Sequence, residues 1–319
     1  MHIFGVDDSS VNAANLNSLL SVYDAVVSAS VGTASGDVYP TISSAISAGH
    51  RSIAVVPGTY TEDITLSSGN QIIDGVGPVI EGWTGTKEVK IVGQITISSS
   101  IAGIELRRLH ILPPSGKFAI YHNSAGRDCY YEKIYAWNGD SNHFEFNTRY
   151  ADFTMRDCHS YNCGANAFRI SDNVDAHSTR GTFDNCHAYG ATGNGFFIGG
   201  NDADTSHYKE FALINCKAFA CAESYGHGFQ IGKYFRGVIL GCVSAANVAG
   251  SGFYFWDPGT TGYARTVVAC VARGNGQYGF ARSAAGGAAA GDEAYAGCYA
   301  VANSAGQWAN YVSTPPTCI

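Results

Sequence analysis

The sequence predicts an all-β chain wound into a single-stranded parallel β-helix, with a short helix capping its N-terminal end. Three observations carry this. Six cysteines, Cys158, Cys186, Cys216, Cys242, Cys270 and Cys298, recur with gaps of 28, 30, 26, 28 and 28 residues. Two residues after each comes a small residue (Ser160, Ala188, Ala218, Ser244, Ala272, Ala300), and ten to thirteen after it an aromatic (Phe168, Phe196, Phe229, Phe253, Phe280, Trp308). Cys-x-Ala and Phe-x-Ile alternate with period two, so both are short strands with every second residue inward. Blades of a propeller run longer, about 40–45 residues, so a repeat of this length reads as a solenoid. Two earlier turns fit with the cysteine replaced: Leu109, Ile111 and Phe118, then Ile134, Ala136 and Phe144. The expectation is eight coils in register, with cysteine, small-residue and aromatic ladders spaced ~4.8 Å along the axis.

Composition agrees. Gly is abundant at 39 and charged residues are only 14%, which suits tight turns and flat strands better than a helical bundle. Nineteen basic against 26 acidic residues give a net charge of −7, and Lys and Arg do not cluster, so nucleic acid is not expected as a partner. The sequence has no run of 18 apolar residues to span a membrane. Residues 1–30 lack the basic start and unbroken apolar core of a signal peptide. The ten cysteines are expected as free thiols. Ladder cysteines behave as small buried hydrophobes, and Cys163 and Cys221 fall two coils apart, ~10 Å, beyond disulfide reach.

In order, residues 1–37 form an N-terminal arm and linker, 38–312 the β-helix and 313–319 a tail. Leu16, Leu19, Leu20 and Tyr23 have helical spacing within Val11–Val27 and predict a short helix or arm against the first coil. Thr41 caps a second short helix in which Ile42, Ala45 and Ile46 share a face and Gly49 ends the run. Such a helix plugs the open end of a β-helix. A buried strand at Ile53–Val56, a turn at Pro57-Gly58, and a strand through Tyr60, Ile64 and Leu66 follow.

The segment Tyr39–Leu66, Tyr-Pro-Thr-Ile-Ser-Ser-Ala-Ile through Ile-Ala-Val-Val-Pro-Gly-Thr-Tyr-Thr-Glu-Asp-Ile-Thr-Leu, resembles the opening of the pectin-lyase-like superfamily. The later coils match only in their Asn-Cys-x-Ala and Gly-Phe-x-Ile style. The resemblance implies a right-handed β-helix of the kind found in pectin methylesterases, polysaccharide lyases and bacteriophage tailspikes. It implies the activity weakly, because function lives in sites grafted on folds. Tyr225-Gly-His-Gly-Phe-Gln-Ile-Gly232 is similar to an element of polygalacturonases through His227, Gly226 and Gly228. The Asp-Asp pair one coil earlier is Asn194-Gly195 here, which argues against that activity. His227 also shares its coil position with Asn166, Asn194 and Ser251.

Function is expected on outward stripes and long turns. Asp157, Asn185 and Asn215 precede the ladder cysteines as an expected Asn/Asp ladder. His110, Tyr135, His159, His187 and Lys217 follow them as a second stripe. Beside the aromatics run Glu145, Arg169, Phe197, Gln230 and Tyr254, a candidate carbohydrate-binding row that Tyr208 joins, because pyranose rings offer an apolar face to aromatics. The turns 171–180 and 199–210 carry Asp172, Asp175, Asp202 and Asp204, with His177 and His207. Paired carboxylates on adjacent coils serve glycoside cleavage at separations of about 5–9.5 Å, so these four and His227 are the catalytic candidates. The same acidic turns suit Ca²⁺; no other cofactor or metal is expected. The leading expectation is a spike-type protein of a virion or extracellular surface that recognises polysaccharide, trimeric or attached through its arm. The alternatives are a polysaccharide hydrolase, lyase or epimerase, and a structural coat or decoration protein.

Overall fold

A computed structural model of the chain describes residues 13–76, 88–98, 101–123, 126–147, 151–171, 179–199, 209–222, 226–232, 235–256, 265–283 and 293–309. The expected solenoid is present. Every coil contributes strands to three faces, and all of the strand pairings between coils are parallel.

The first face stacks Ala151–Arg156, Thr179–Asp184, Lys209–Ile214, Phe235–Leu240, Arg265–Val268 and Glu293–Ala296. The second face stacks His159–Tyr161, His187–Tyr189, Lys217–Phe219, Val243–Ala245, Val271–Arg273 and Tyr299–Val301. In earlier coils Glu105–Leu112 and Gly126–Trp137 run through both faces without a break. The third face is a separate ten-stranded sheet running from Ile64–Leu66 to Gly306–Ala309. Parallel crossovers of one hand are the norm in such sheets.

Between the first and second faces the chain turns on one residue with positive φ: Asp157, Asn185, Asn215, Gly241, Ala269 or Gly297. A second such residue follows the second face, at Asn162, Gly190, Ala220, Ala246, Gly274 and Ala302. Asn, Asp and Gly tolerate this left-handed region best, so the residue before each cysteine is chosen for backbone shape. One rung of the expected ladder is bonded, since Asn185 Nδ2 donates to Asp157 Oδ1 at 2.7 Å.

The interior follows the sequence periodicity closely. Rings stack face to face without interruption from Phe144 through Phe168, Phe196, Phe229, Phe253 and Phe280 to Trp308, at 4.5–4.9 Å. Each contact adds roughly 0.5–1.5 kcal/mol beyond the area buried. One expected rung is corrected. Ile120, not Phe118, pairs with Phe144, and Phe118 instead stacks on the outward Tyr121 at 4.8 Å. The two residues have the same parity along the strand, so periodicity alone could not separate them.

The nine described cysteines are free and buried. Each ladder thiol reaches back one coil to a main-chain carbonyl, as Cys216 does to Phe183 O at 3.4 Å and Cys242 to Leu213 O at 3.4 Å. Five residues after the ladder cysteines comes another inward row: Cys163, Ala191, Cys221, Asn247, Asn275 and Asn303. Ala191 separates Cys163 from Cys221. The three asparagines form a buried chain, with Asn247 Nδ2 donating to Asn275 Oδ1 at 2.8 Å and Asn275 Nδ2 to Asn303 Oδ1 at 2.7 Å.

At the N-terminal end, α1 (Ala13–Leu20) lays Leu16, Leu19 and Leu20 on the outer side of Val26, Ala54 and Val56. It therefore covers the flank of the first coils. Ala25–Val27, expected within the helical run, is a strand paired with Ile53–Val55, because tertiary pairing outweighs helical spacing there. The helix α2 (Ile42–Ser47) plugs the end of the core through Ile42 and Ala45, and Thr41 closes a capping box with Ser44. Glu62 accepts from the Ile42 and Ser43 amides at 2.8 and 2.9 Å, placing a carboxylate at the helix N-terminus.

Candidate functional site: the first-face groove and the third-face row

The connections from the third face back to the first face hold most of the residues outside the described set. Asp172, Asp175, His177, Asp202, Asp204, His207 and Tyr208 all lie there, outside the described residues. The described chain on either side fixes where those segments begin and end. Ile170 pairs with Ile198 and Thr179 with Lys209, so both segments leave and re-enter on adjacent rungs.

At that corner the first face carries a shallow groove of about 780 Å³ along the axis. Its rim is a row with one charge per coil. Asp152 pairs in register with Arg180, Arg180 with Glu210, and Glu210 with Arg236. Arg180 Nε lies 3.9 Å from Asp152 Oδ2, and both side chains are well exposed. The next outward row adds Thr154, Thr182, Ala212, Val238 and Thr266. Under the rim, Gly181 sits between two large inward rings: a Cβ there would meet Phe211 Cε1 at 2.5 Å and Phe153 Cζ at 2.7 Å. The glycine lets those rings fill the interior beneath an open surface strip.

All four rim residues stand six positions before a ladder cysteine. That spacing is readable in the sequence, where Arg180 and Glu210 are the last residues of the long turns 171–180 and 199–210. Asp152 and Arg236 were missed because no motif marks them.

The candidate carbohydrate row is in register on the third face: Tyr121, Glu145, Arg169, Phe197, Gln230, Tyr254 and Ala281 follow one another, one per coil. Its members are more engaged than a free stripe. Glu145 is buried, accepts from Asn142 Nδ2 at 2.7 Å, and lies 3.3 Å from Arg169 Nη1 through each oxygen. The Arg169 guanidinium sits 5.8 Å over Phe197. Tyr254 stacks on His227 at 4.4 Å with only 5° between planes. The row therefore presents an Arg169 already paired with Glu145 and a Tyr254 ring already stacked on His227, rather than a free line of aromatic faces.

His227 lies in the turn before its third-face strand, as a rung in a hydrogen-bonded ladder. Asn166 and Asn194 each use main-chain N–H and Nδ2 to reach the side-chain oxygen one coil before, at 2.8–3.0 Å. His227 N–H donates to Asn194 Oδ1 at 2.9 Å, and Ser251 N–H donates to His227 Nδ1 at 2.9 Å. Nδ1 is thus an acceptor, which puts the ring proton on Nε2. Burial holds the ring neutral, with its pKa pushed down to about 4. Proton chemistry by this residue falls to Nε2 alone. Among the described residues no group of three or more His, Cys, Asp or Glu is placed to hold a metal ion. No described helix is long and apolar enough to cross a membrane.

These features define a parallel β-helix with a groove on its first face, edged by one charged side chain per coil. Among solved structures, the chain is similar to the mannuronan C-5 epimerase AlgE4 A-module of Azotobacter vinelandii, at 17% identity and TM-score 0.58, over 83% of this chain and 73% of that one. It is also similar to a rhamnogalacturonan lyase (13% identity, TM-score 0.46, over 81% of this chain and 70% of that one). A pectin methylesterase from Aspergillus niger matches at 14% identity and TM-score 0.46, over 91% of this chain and 90% of that one. The first likeness shows a shared fold; at TM-scores below 0.5 the other two carry no weight. No family model matches the chain, and no curated protein matches it in sequence.

Proposed function

We propose that this protein recognises polysaccharide, and that the polymer lies along the first-face groove. The observation that carries this reading is the rim of Asp152, Arg180, Glu210 and Arg236, one charged side chain per coil beside a row containing three threonines. Convergent polar groups along a concavity fix orientation and give specificity, and an axial groove with a repeat of ~4.8 Å suits an extended chain better than a compact ligand. Arg169, Phe197, Gln230 and Tyr254 on the third face stand as a second contact row, with Glu145 holding Arg169 in place. Affinity electrophoresis against acidic and neutral polysaccharides tests the proposal. Retardation by at least one polymer, lost in Arg180→Ala and Glu210→Ala, is expected; mobility unchanged by every polymer in the wild type refutes it. A spike on a virion or extracellular surface, trimeric or attached through its N-terminal arm, extends the same proposal; finding the chain in purified particles would support it.

A second reading is an enzyme, a hydrolase, lyase or epimerase, using Asp172, Asp175, Asp202 or Asp204 with His227. It is favoured by the adjacent-rung ends of the two acidic segments beside the groove. Release of reducing or unsaturated ends from a panel including mannuronan and pectin, or epimerised uronate in recovered polymer, measures it. Activity that survives both Asp202→Asn and Asp204→Asn removes those residues from the mechanism.

A further inference from the structure

Three outward rows run along the first face over the coils that form the groove. The rim row is Asp152, Arg180, Glu210 and Arg236. The middle row is Thr154, Thr182, Ala212, Val238 and Thr266, and it carries no charge. The far row is Arg156, Asp184, Ile214 and Leu240. Charge alternates along the rim and at the start of the far row, so every arginine has a carboxylate one coil away on its own row. The two rows are also out of phase. The rung with Asp152 on the rim carries Arg156 opposite, and the rung with Arg180 carries Asp184. Two neighbour pairs are close: Arg180 Nε lies 3.9 Å from Asp152 Oδ2, and Arg156 Nε 3.2 Å from Asp184 Oδ2. Together the rows hold Arg156, Arg180 and Arg236 against Asp152, Asp184 and Glu210, a formal sum of zero. The segments that join the third face to the first along these coils, 172–178, 200–208, 233–234 and 257–264, add in sequence five Asp and one Lys.

We infer that this self-neutralised groove selects an uncharged polysaccharide, a polymer of neutral hexose or pentose residues, and turns away polyuronates. The inference rests on the glycan reading above and narrows it. A cleft concentrates an ion when its walls carry one sign. Here an anion brought to any of the three arginines lies one rung, ~4.8 Å, from a carboxylate, and the repulsion of one offsets the attraction of the other. Sugar hydroxyls meet no such conflict. Each donates and accepts, so it finds an acceptor at Asp152 or Glu210 and a donor at Arg180 or Arg236, whereas a uronate carboxylate only accepts. Exposed ion pairs contribute little to stability, so these side chains can turn from one another to a hydroxyl at small cost. Between the charged rows, Ala212, Val238 and the threonine methyl groups give the ring C–H groups an apolar floor.

Binding to immobilised polymers at about 50 and about 500 mM NaCl tests the inference. The probes are mannuronan and polygalacturonate, the same two polymers after carboxyl reduction, a β-glucan and a xylan. At least one neutral polymer is expected to bind, with a Kd that changes less than about twofold between the two salt levels, because an uncharged ligand is not screened. Arg180→Ala should weaken that binding about tenfold. Neither acidic polymer should bind the wild type. Asp152→Asn combined with Glu210→Gln removes both rim carboxylates, and this variant is expected to gain binding to an acidic polymer at the lower salt and lose it at the higher. A wild type that binds an acidic polymer and no neutral one overturns the inference and leaves the glycan reading standing. So does an acidic polymer bound at least as tightly as its carboxyl-reduced counterpart. A double variant that is folded by circular dichroism and still ignores both acids overturns it too, because the rim would not be what excludes them. A wild type that binds none of the six polymers removes the glycan reading itself, and this inference with it.

Discussion

Acid should loosen this β-helix well before its carboxylates protonate, and two enclosed histidines set the scale. His143 is fully buried, accepts from Gly139 N–H through Nε2 at 3.1 Å, and meets Ser160 Oγ through Nδ1 at 2.7 Å. His122 is fully buried beside Tyr131 and Phe146. Burial pushes their pKa values down to about 3 and about 4 respectively. The unfolded chain binds these protons near pH 6.5, so the stability they permit is complete above that pH and is lost as pH falls toward the folded values. Linkage gives about 2 kcal/mol for each at pH 5, hence about 4 kcal/mol for the pair. His110, His159 and His227, all depressed to about 4 by burial, act in the same direction. Four kcal/mol is a large share of a typical folding free energy of about 5–15 kcal/mol. Urea unfolding followed by circular dichroism at pH 7, 6 and 5 measures the loss, and His143→Gln should flatten the slope by about half of the pair's share. A free energy of unfolding that is level between pH 7 and pH 5 would refute the burial argument.

Three other outcomes follow from the same geometry. Phe196→Ala removes an enclosed ring from the middle of the stack and should cost about 3–5 kcal/mol, whereas Phe197→Ala, one residue on and outward, should cost less than about 1 kcal/mol; comparable losses in urea unfolding would contradict the assigned register. Asn275→Leu strips the acceptor used by Asn247 N–H and Nδ2, at 3.3 and 2.8 Å, and each buried donor left bare costs about 1–3 kcal/mol; a variant as stable as wild type would show the ladder to be dispensable. Burial raises Cys163 to about 11 and Cys221 to about 12, and all nine described thiols are enclosed. A thiol-specific colorimetric reagent should therefore label at most one of the ten cysteines in native protein and all ten in urea; rapid labelling of several native thiols would contradict the interior ladder.

The interior was legible because it is strictly periodic. Cysteine, small residue and aromatic must meet their own kind one coil away, so each position repeats wherever the coil length allows. The slip at Phe118 shows the limit of that signal: where the aromatic is replaced by Ile120, two apolar residues of one parity compete. The buried Asn247, Asn275 and Asn303 chain was equally periodic and went unread, because asparagine suggests turns and surface rather than core. The charged rim of the groove repeats in position but alternates in type, so nothing in composition draws attention to it. His227 was readable in part: its shared coil position with Asn166, Asn194 and Ser251 was visible, while its place as a ladder rung and its tautomer needed the Asn194 and Ser251 contacts.

The uneven coil lengths point to where this chain is free to vary. From Ala151–Arg156 onward the first-to-second connections are two-residue turns with one left-handed residue each, and they admit little insertion without breaking a stack. The third-to-first connection runs from Ser171 to Thr179, from Gly199 to Lys209, from Gly232 to Phe235 and from Phe255 to Arg265. The long second of these and the short third account for much of the 30- and 26-residue gaps that interrupt the 28-residue repeat. Over these coils length varies at the third-to-first corner, which borders the Asp152–Arg236 rim, and once at the second-to-third corner, where Phe219 to Phe229 is longer than Tyr189 to Phe196. A fold that holds its interior fixed while its connections change coil by coil leaves those connections free to carry differing chemistry.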